Sequence, residues 1–317
     1  MSSYAVCAEL DVHVASTDEY RAVVRRWLDD GSRLLLPDVR AELDREDLPS
    51  VEPESGDDPF GPPGAAWGRF HVATEREGRT PSSAARPVTT KTWTWLDRQL
   101  ASPKRRALVS LRRLGDTGRD VATAIQLQAR ADSDYPGWVQ LVAGRTSTGF
   151  VAEQERWLAF LRGYAEDMNP VYGQIGVLHN WRETTLEKSL PVDYGRNTPP
   201  HTVSESRQWL RGYTWVTILA QELADRLGGV AALTDTGAFA EVAQLKNSGV
   251  WLRSTADFAD YDQAAAERSF HVLAPVIRPG QPQPQAVDPR TGRPRDERTP
   301  HLIVYEDAAT HREPEGH

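Results

Sequence analysis

Residues Trp209–Pro279, WLRGYTWVTILAQELADRLGGVAALTDTGAFAEVAQLKNSGVWLRSTADFADYDQAAAERSFHVLAPVIRP, decide the fold. Trp209, Tyr213, Val216, Ala220, Leu223 and Leu227 recur at alternating four- and three-residue steps, which predicts a helix over about residues 205–227. Trp215, Ile218 and Leu219 widen that stripe until the helix reads as nearly all buried, a central core helix. Gly228-Gly229 stops it, because glycine accepts the left-handed backbone that ends helices. Two short runs, Ala238–Leu245 and Val250–Arg253, flank Asn247-Ser248-Gly249 and predict a hairpin. A helix from about Tyr261 to Leu273 closes at Pro275.

Outward from this stretch, other elements announce themselves by period. Residues 4–14 alternate strictly: Tyr4, Val6, Ala8, Leu10, Val12 and Val14 share one face, while Cys7, Glu9, Asp11 and His13 share the other. That is a strand with one wet face. Ser16 and Glu19 make a capping box for a helix carrying Tyr20, Val24, Trp27 and Leu28, with Gly31 as its stop. Trp67–Ala73 is a short strand, and 75–90 a loose stretch. Runs at 107–114, 121–127 and 138–142, with the turn Gly115–Gly118 after the first, predict an antiparallel meander. A helix follows over 151–168, ended by Asn169-Pro170. Thr202 and Glu205 read as a second capping box.

Two segments lack such periodicity. Residues 38–64 are dense in acids, prolines and glycines and predict a long exposed acidic loop. Beyond Arg278 the chain is rich in Pro, Arg and Gln and reads as a mostly disordered tail. The expected class is therefore α+β, an antiparallel sheet with helices packed on one face. Its expected parts are residues 1–100 (strand, helix and acidic loop), a main module at 101–279, and the tail at 280–317.

Bulk properties narrow the function. With 317 residues and 39% hydrophobic content the chain can bury a substantial core. A formal charge of −8 argues against general nucleic-acid binding and favours a basic partner. The single cysteine, Cys7, cannot form an internal disulfide, which points to a reducing compartment. No apolar run approaches the roughly 20 residues needed to cross a bilayer. The N-terminus has no basic leader and carries Glu9 and Asp11 in its apolar stretch, unlike a signal peptide. The expectation is a cytoplasmic protein with no membrane partner.

Gly212-Tyr-Thr-Trp215, Leu227-Gly-Gly229, Gly249-Val-Trp-Leu252 and Tyr261 through Leu273-Ala-Pro275, with Asn169-Pro-Val-Tyr-Gly173 upstream, follow a recognisable order. Over roughly residues 105–280 the chain resembles a family of uncharacterised bacterial proteins labelled type VI immunity proteins. The resemblance implies a non-catalytic protein that binds and blocks a toxic effector of type VI secretion, as in a toxin–antitoxin pair. No cofactor is implied.

Residues that could carry chemistry are few. Glu9, Asp11 and His13 share one strand face and are a candidate metal set, although ligands about 7 Å apart along a strand splay. The alternative is a solvated strand face. Asp116-Thr-Gly118 and Asp235-Thr-Gly237 repeat the triplet of aspartic proteases but also make ordinary turns. His179, His201 and His271 read as lone histidines. No zinc-type Cys pair, His-x-x-x-His, phosphate-binding glycine loop or nucleophile elbow is present. For partner binding the candidates are Asp38, Glu42, Asp44, Glu46 and Asp47 of the acidic loop, with Trp93 and Trp95. Two other functions stay open: a general interaction module of a bacterial gene cluster, and a metal-dependent enzyme assembled from Glu9, Asp11, His13 and His179.

Overall fold

The alternating N-terminal residues form β1 (Ala5–His13), and Ser16 opens α1 (Thr17–Leu35), followed by α2 (Pro37–Leu43). Next come β2 (Ala66–Arg76), β3 (Arg79–Pro87), α3 (Thr90–Gln99), β4 (Arg106–Leu114), β5 (Val121–Ala131) and β6 (Trp138–Thr146). The chain continues through α4 (Phe150–Asp167), β7 (Pro170–Val177), α5 (Thr185–Ser189) and α6 (Pro199–Ser204). It ends with β8 (Val216–Leu219), α7 (Gln221–Arg226), α8 (Gly229–Asp235), β9 (Glu241–Gln244), β10 (Val250–Arg253) and α9 (Gln263–Leu273). This computed structural model describes residues 5–45, 61–76, 79–118, 120–146, 150–177, 182–191, 199–284 and 302–312. The class is α+β with antiparallel strands, as the periodicities predict. Two compact units divide it: residues 13–147, and residues 1–12 with 148–317.

In the unit of residues 13–147 the strands lie in the order β3-β2-β4-β5-β6, every neighbour antiparallel. β4 to β6 are the expected meander. Val109, Leu111, Ile125 and Leu127 alternate onto one buried face, and α1 packs across β4, β5 and β6. Ser16 caps it as expected, its hydroxyl accepting from the Glu19 N–H at 3.2 Å, but the box is not closed: the Glu19 carboxylate reaches one residue further back and accepts from the Ala15 N–H at 2.7 Å. Gly31 does not stop this helix. The chain breaks five residues later at Leu36, because Pro37 disfavours α geometry in the residue before it. The loose stretch expected at 75–90 contains β3, paired to β2 from Arg69↔Pro87 to Arg76↔Arg79. Its small, polar residues carry no apolar alternation, so pairing rather than burial makes it a strand.

In the other unit the order is β1-β7-β8-β10-β9, again antiparallel throughout. α4 covers β7, whose residues Pro170–Gly176 are all buried. The hairpin at Asn247–Gly249, the helix before Pro170 and the closing helix α9 follow the sequence signals. The central core helix does not. Residues 205–209 are a turn, Leu210 forms a parallel bridge with Ile277, and Val216–Leu219 is strand β8. Trp215, Val216, Ile218, Leu219 and Ala220 are all fully buried, so β8 is covered on both faces and shows no period of two. The β-branched run Val216-Thr217-Ile218 settles for the strand. Only α7 remains helical, and Gly228, at φ 84°, stops it as expected. Helix α8 then occupies a stretch with no clear stripe. Thr202 is not a cap either. It sits inside α6, its hydroxyl donating back to the Pro199 carbonyl at 3.2 Å.

At the tail, residues 302–312 are ordered, with Ile303 and Val304 buried; positions 285–301 lie outside the described residues, as do 46–60 of the acidic segment. Among the described residues no helix is long and apolar enough to cross a membrane.

Trp215 anchors β8. Its ring meets Phe258 at 5.3 Å and Phe150 at 6.2 Å, and its indole N–H donates to the Thr255 carbonyl at 3.0 Å. Trp215→Ala is expected to cost about 3–5 kcal/mol in urea denaturation. A loss below about 1 kcal/mol would place the ring outside the core.

Candidate functional site

Strand alternation puts Glu9 and Asp11 on the same side of β1, and the register sets Gln174 opposite Glu9 and Tyr172 opposite Asp11. Between those partners, Gly173 lets the backbones close. A Cβ there would stand 2.7 Å from Ile218 Cδ1 and 3.1 Å from the Glu9 carbonyl oxygen. The expected wet face of β1 is therefore dry: Cys7, Glu9 and Asp11 are 2%, 4% and 0% exposed. Burial pushes the Cys7 thiol up, which leaves it protonated and inert.

The cation on which these acids converge is Arg211, itself 1% exposed. One terminal nitrogen, Nη1, donates to Glu9 Oε1 at 2.6 Å and to Asp11 Oδ2. Its Nε and Nη2 grip the two oxygens of Glu187 at 2.9 Å each, and Nη2 also donates to the Arg182 carbonyl at 3.0 Å. All five guanidinium donors are thus matched. Glu187 is placed by the capping box of α5. Its carboxylate accepts from the Thr184 N–H at 2.8 Å, and the Thr184 hydroxyl donates to the Arg211 carbonyl at 2.9 Å. Gln174 donates to Glu9 Oε2 at 2.6 Å, and the Tyr172 ring lies 5.2 Å from the guanidinium carbon.

Three buried carboxylates around one guanidinium leave an excess of negative charge. Burial, and after it Glu9, outweigh the pull of Arg211 and hold the Asp11 carboxyl well above the usual carboxylate range. Burial works against the charge on Arg211, but Glu187, Asp11 and Glu9 together raise the guanidinium well above its ordinary value. Burial first, then Glu9, also raises the Tyr172 phenol. The guanidinium charge is thus reinforced, and Asp11 is the carboxyl whose charged form the cluster disfavours. Among the described residues Asp11 Oδ1 and the Tyr172 hydroxyl have no hydrogen-bond partner. Chemically the cluster is a clamp with one titratable oxygen pair.

A scan of protein-family models found none that matches the chain, and no curated protein matches it. Among solved structures the chain is similar to a Pseudomonas aeruginosa T6SS protein, PA0821. The TM-score is 0.51 and the identity 13%, over 96% of this chain and 81% of that one. At this identity the likeness is one of fold.

His13 is exposed and meets the Trp138 ring edge-on at 5.0 Å. Of the acids, Asp38 is exposed in the first turn of α2, whereas Glu42 accepts from Arg113 at 3.0 Å and Asp44 from Arg40 and Arg33 at 3.0 and 3.1 Å. Glu46 and Asp47 lie outside the described residues, as does His179. Trp93 is buried in α3 against Phe70 at 4.7 Å, beneath the guanidiniums of Arg25 and Arg40. Trp95 is half-buried. Both Asp-Thr-Gly triplets sit at turns, one after β4 and one at the end of α8. Of metal-type donors, one group of three comes together among the described residues: His271, Glu306 and His311. His271 is thus no lone histidine, although its partners lie over thirty residues further along the chain, beyond any spacing rule.

Arg211→Met is expected to remove about 3–5 kcal/mol of stability, because it strands three buried carboxylates. Asp11 acts on the other side of the ledger. Its folded value is raised, so its contribution is complete below the ordinary carboxylate value and is lost as pH climbs through the raised one. Urea midpoints measured between about pH 4 and 9 should fall with pH in the wild type and flatten in Asp11→Asn. An unchanged slope in Asp11→Asn would mean that Asp11 is ionised in the folded protein.

Proposed function

We propose that the chain is a type VI secretion-associated immunity protein, one that binds a cognate bacterial toxin in the cytoplasm and blocks it by occlusion. The observation that carries this reading is the fold shared with a T6SS protein over 96% of the chain. The motif order between residues 105 and 280 supports it independently, since it resembles that of type VI immunity proteins. Occlusion asks for surface complementarity and for no reacting group, which suits a chain whose buried acids Glu9, Asp11 and Glu187 are locked around Arg211. A net charge of −8 favours a basic toxin face. Of the candidate contacts, Asp38 is exposed and Trp95 half-buried, and the acids Glu46 and Asp47 follow in the sequence.

Co-expression with the product of the adjacent gene tests this. If that product kills alone, and this chain restores growth and elutes with it one-to-one, occlusion stands. A harmless neighbour that does not bind removes the reading. Within a confirmed complex, Asp38→Lys combined with Glu46→Lys and Asp47→Lys should slow association by about tenfold or more at low salt, with much less effect on dissociation. An unchanged association rate would move the interface away from the acidic segment.

A further inference from the structure

Segment 302–312 is fixed by buried groups. The Val304 N–H donates to the Tyr213 hydroxyl at 2.7 Å, and Ile303 is fully buried. Asp307 accepts from the Gly280 N–H at 3.0 Å and from the Ala309 N–H at 2.9 Å, opening the short turn Ala308–His311. Arg312 lies 4.3 Å over the Trp209 ring and donates to the Ile277 carbonyl at 2.8 Å. These anchors bring Glu306 and His311 to the last turn of α9, where His271 projects. The two imidazoles lie 5.5 Å apart, His311 contacts the Glu306 carboxylate at 2.9 Å, and one donor atom from each of the three residues lies within 4.8 Å of the others.

We propose that His271, Glu306 and His311 form a binding site for one borderline divalent transition-metal ion of the Zn2+ class. Two imidazole nitrogens and a carboxylate oxygen are the three-ligand set of zinc sites that keep a fourth position for water. The imidazoles select against Mg2+ and Ca2+, which take oxygen ligands. Bonds of about 2.0–2.1 Å in a tetrahedron set the ligand atoms about 3.3–3.4 Å apart, so the longest spacing, up to 4.8 Å, must contract by as much as about 1.5 Å. That contraction is available. His271 and Glu306 are exposed and can change rotamer, while the Phe270 ring, edge-on at 5.2 Å, orients His311. The hydrogen bond between His311 and Glu306 is then exchanged for two metal bonds. The ion ties the C-terminal segment to α9 and leaves its open position facing solvent. This site stands independently of toxin binding.

The test uses the untagged full-length chain, stripped with a chelator and titrated with Zn2+ against a chromophoric competitor. One Zn2+ per chain is expected, with roughly micromolar or tighter affinity, unaffected by excess Mg2+. His271→Ala and His311→Ala should each weaken binding by at least about tenfold, with far-UV circular dichroism confirming the fold. Should His311→Ala unfold, the exposed His271→Ala decides. Amide exchange across residues 302–312 should slow on adding Zn2+ to the wild type and stay unchanged in His271→Ala. Absence of stoichiometric binding below about 100 µM Zn2+, or binding that survives His271→Ala at full strength, overturns the site.

Discussion

The buried guanidinium of Arg211 is the constraint on which the unit built from both chain ends depends. It joins Glu9 and Asp11 in the first strand to Glu187 in α5, from a position 200 residues beyond Asp11. Such a group is not retained for stability alone, because desolvating several charges costs nearly what their attraction returns. Its value here lies in register. Both faces of β1 are buried, so hydrophobic patterning cannot choose between one pairing with β7 and a pairing shifted by one residue. The charges can. A one-residue slip would turn Glu9 and Asp11 to the opposite face and leave a buried arginine short of its acids. The ion cluster thus specifies what apolar packing leaves open.

The same logic explains why three acids surround one base. Glu187 alone meets the guanidinium edge-on with both oxygens. Glu9 and Asp11 then divide Nη1, and the Arg182 carbonyl takes the last proton of Nη2. The carboxyl groups outnumber the one base, and Gln174 adds a neutral donor to the cluster through Glu9. β1 holds Glu9 and Asp11, β7 holds Gln174 and α5 holds Glu187, so none of these elements can shift without unpairing the others. Cooperative burial of this kind ties strand pairing, helix capping and the approach to β8 into one event.

Much of this architecture is legible in the sequence, and the boundary of legibility is physical. Local signals were faithful: the Ser16 cap, the β4–β6 meander, the Asn247–Gly249 hairpin and α9 all follow from residues close together in the chain. β8 was not legible, because a strand buried on both faces loses its alternation and its apolar run also fits a helix. Gly31 misled for the converse reason, since packing of α1 across three strands overrides one weak helix former. At the site, Glu9 and Asp11 stood out by sharing a face, but their cation did not. Arg211 sits among Leu210, Gly212, Tyr213 and Trp215, and an arginine in so apolar a setting does imply buried acids. Which acids they are is a long-range fact that no local pattern carries.

The Arg211 clamp and the trio His271, Glu306 and His311 differ in what can leave. Around Arg211 the positive charge is covalently part of the chain, fully enclosed and matched donor for donor, so nothing in solution can replace it. Around His271, Glu306 and His311 the nitrogens are acceptors when neutral, two of the three residues face solvent, and the segment carrying two of them is anchored by neighbours rather than by the trio itself. The first arrangement suits a permanent register lock. The second suits an exchangeable cation, because the scaffold persists whether or not the position is filled.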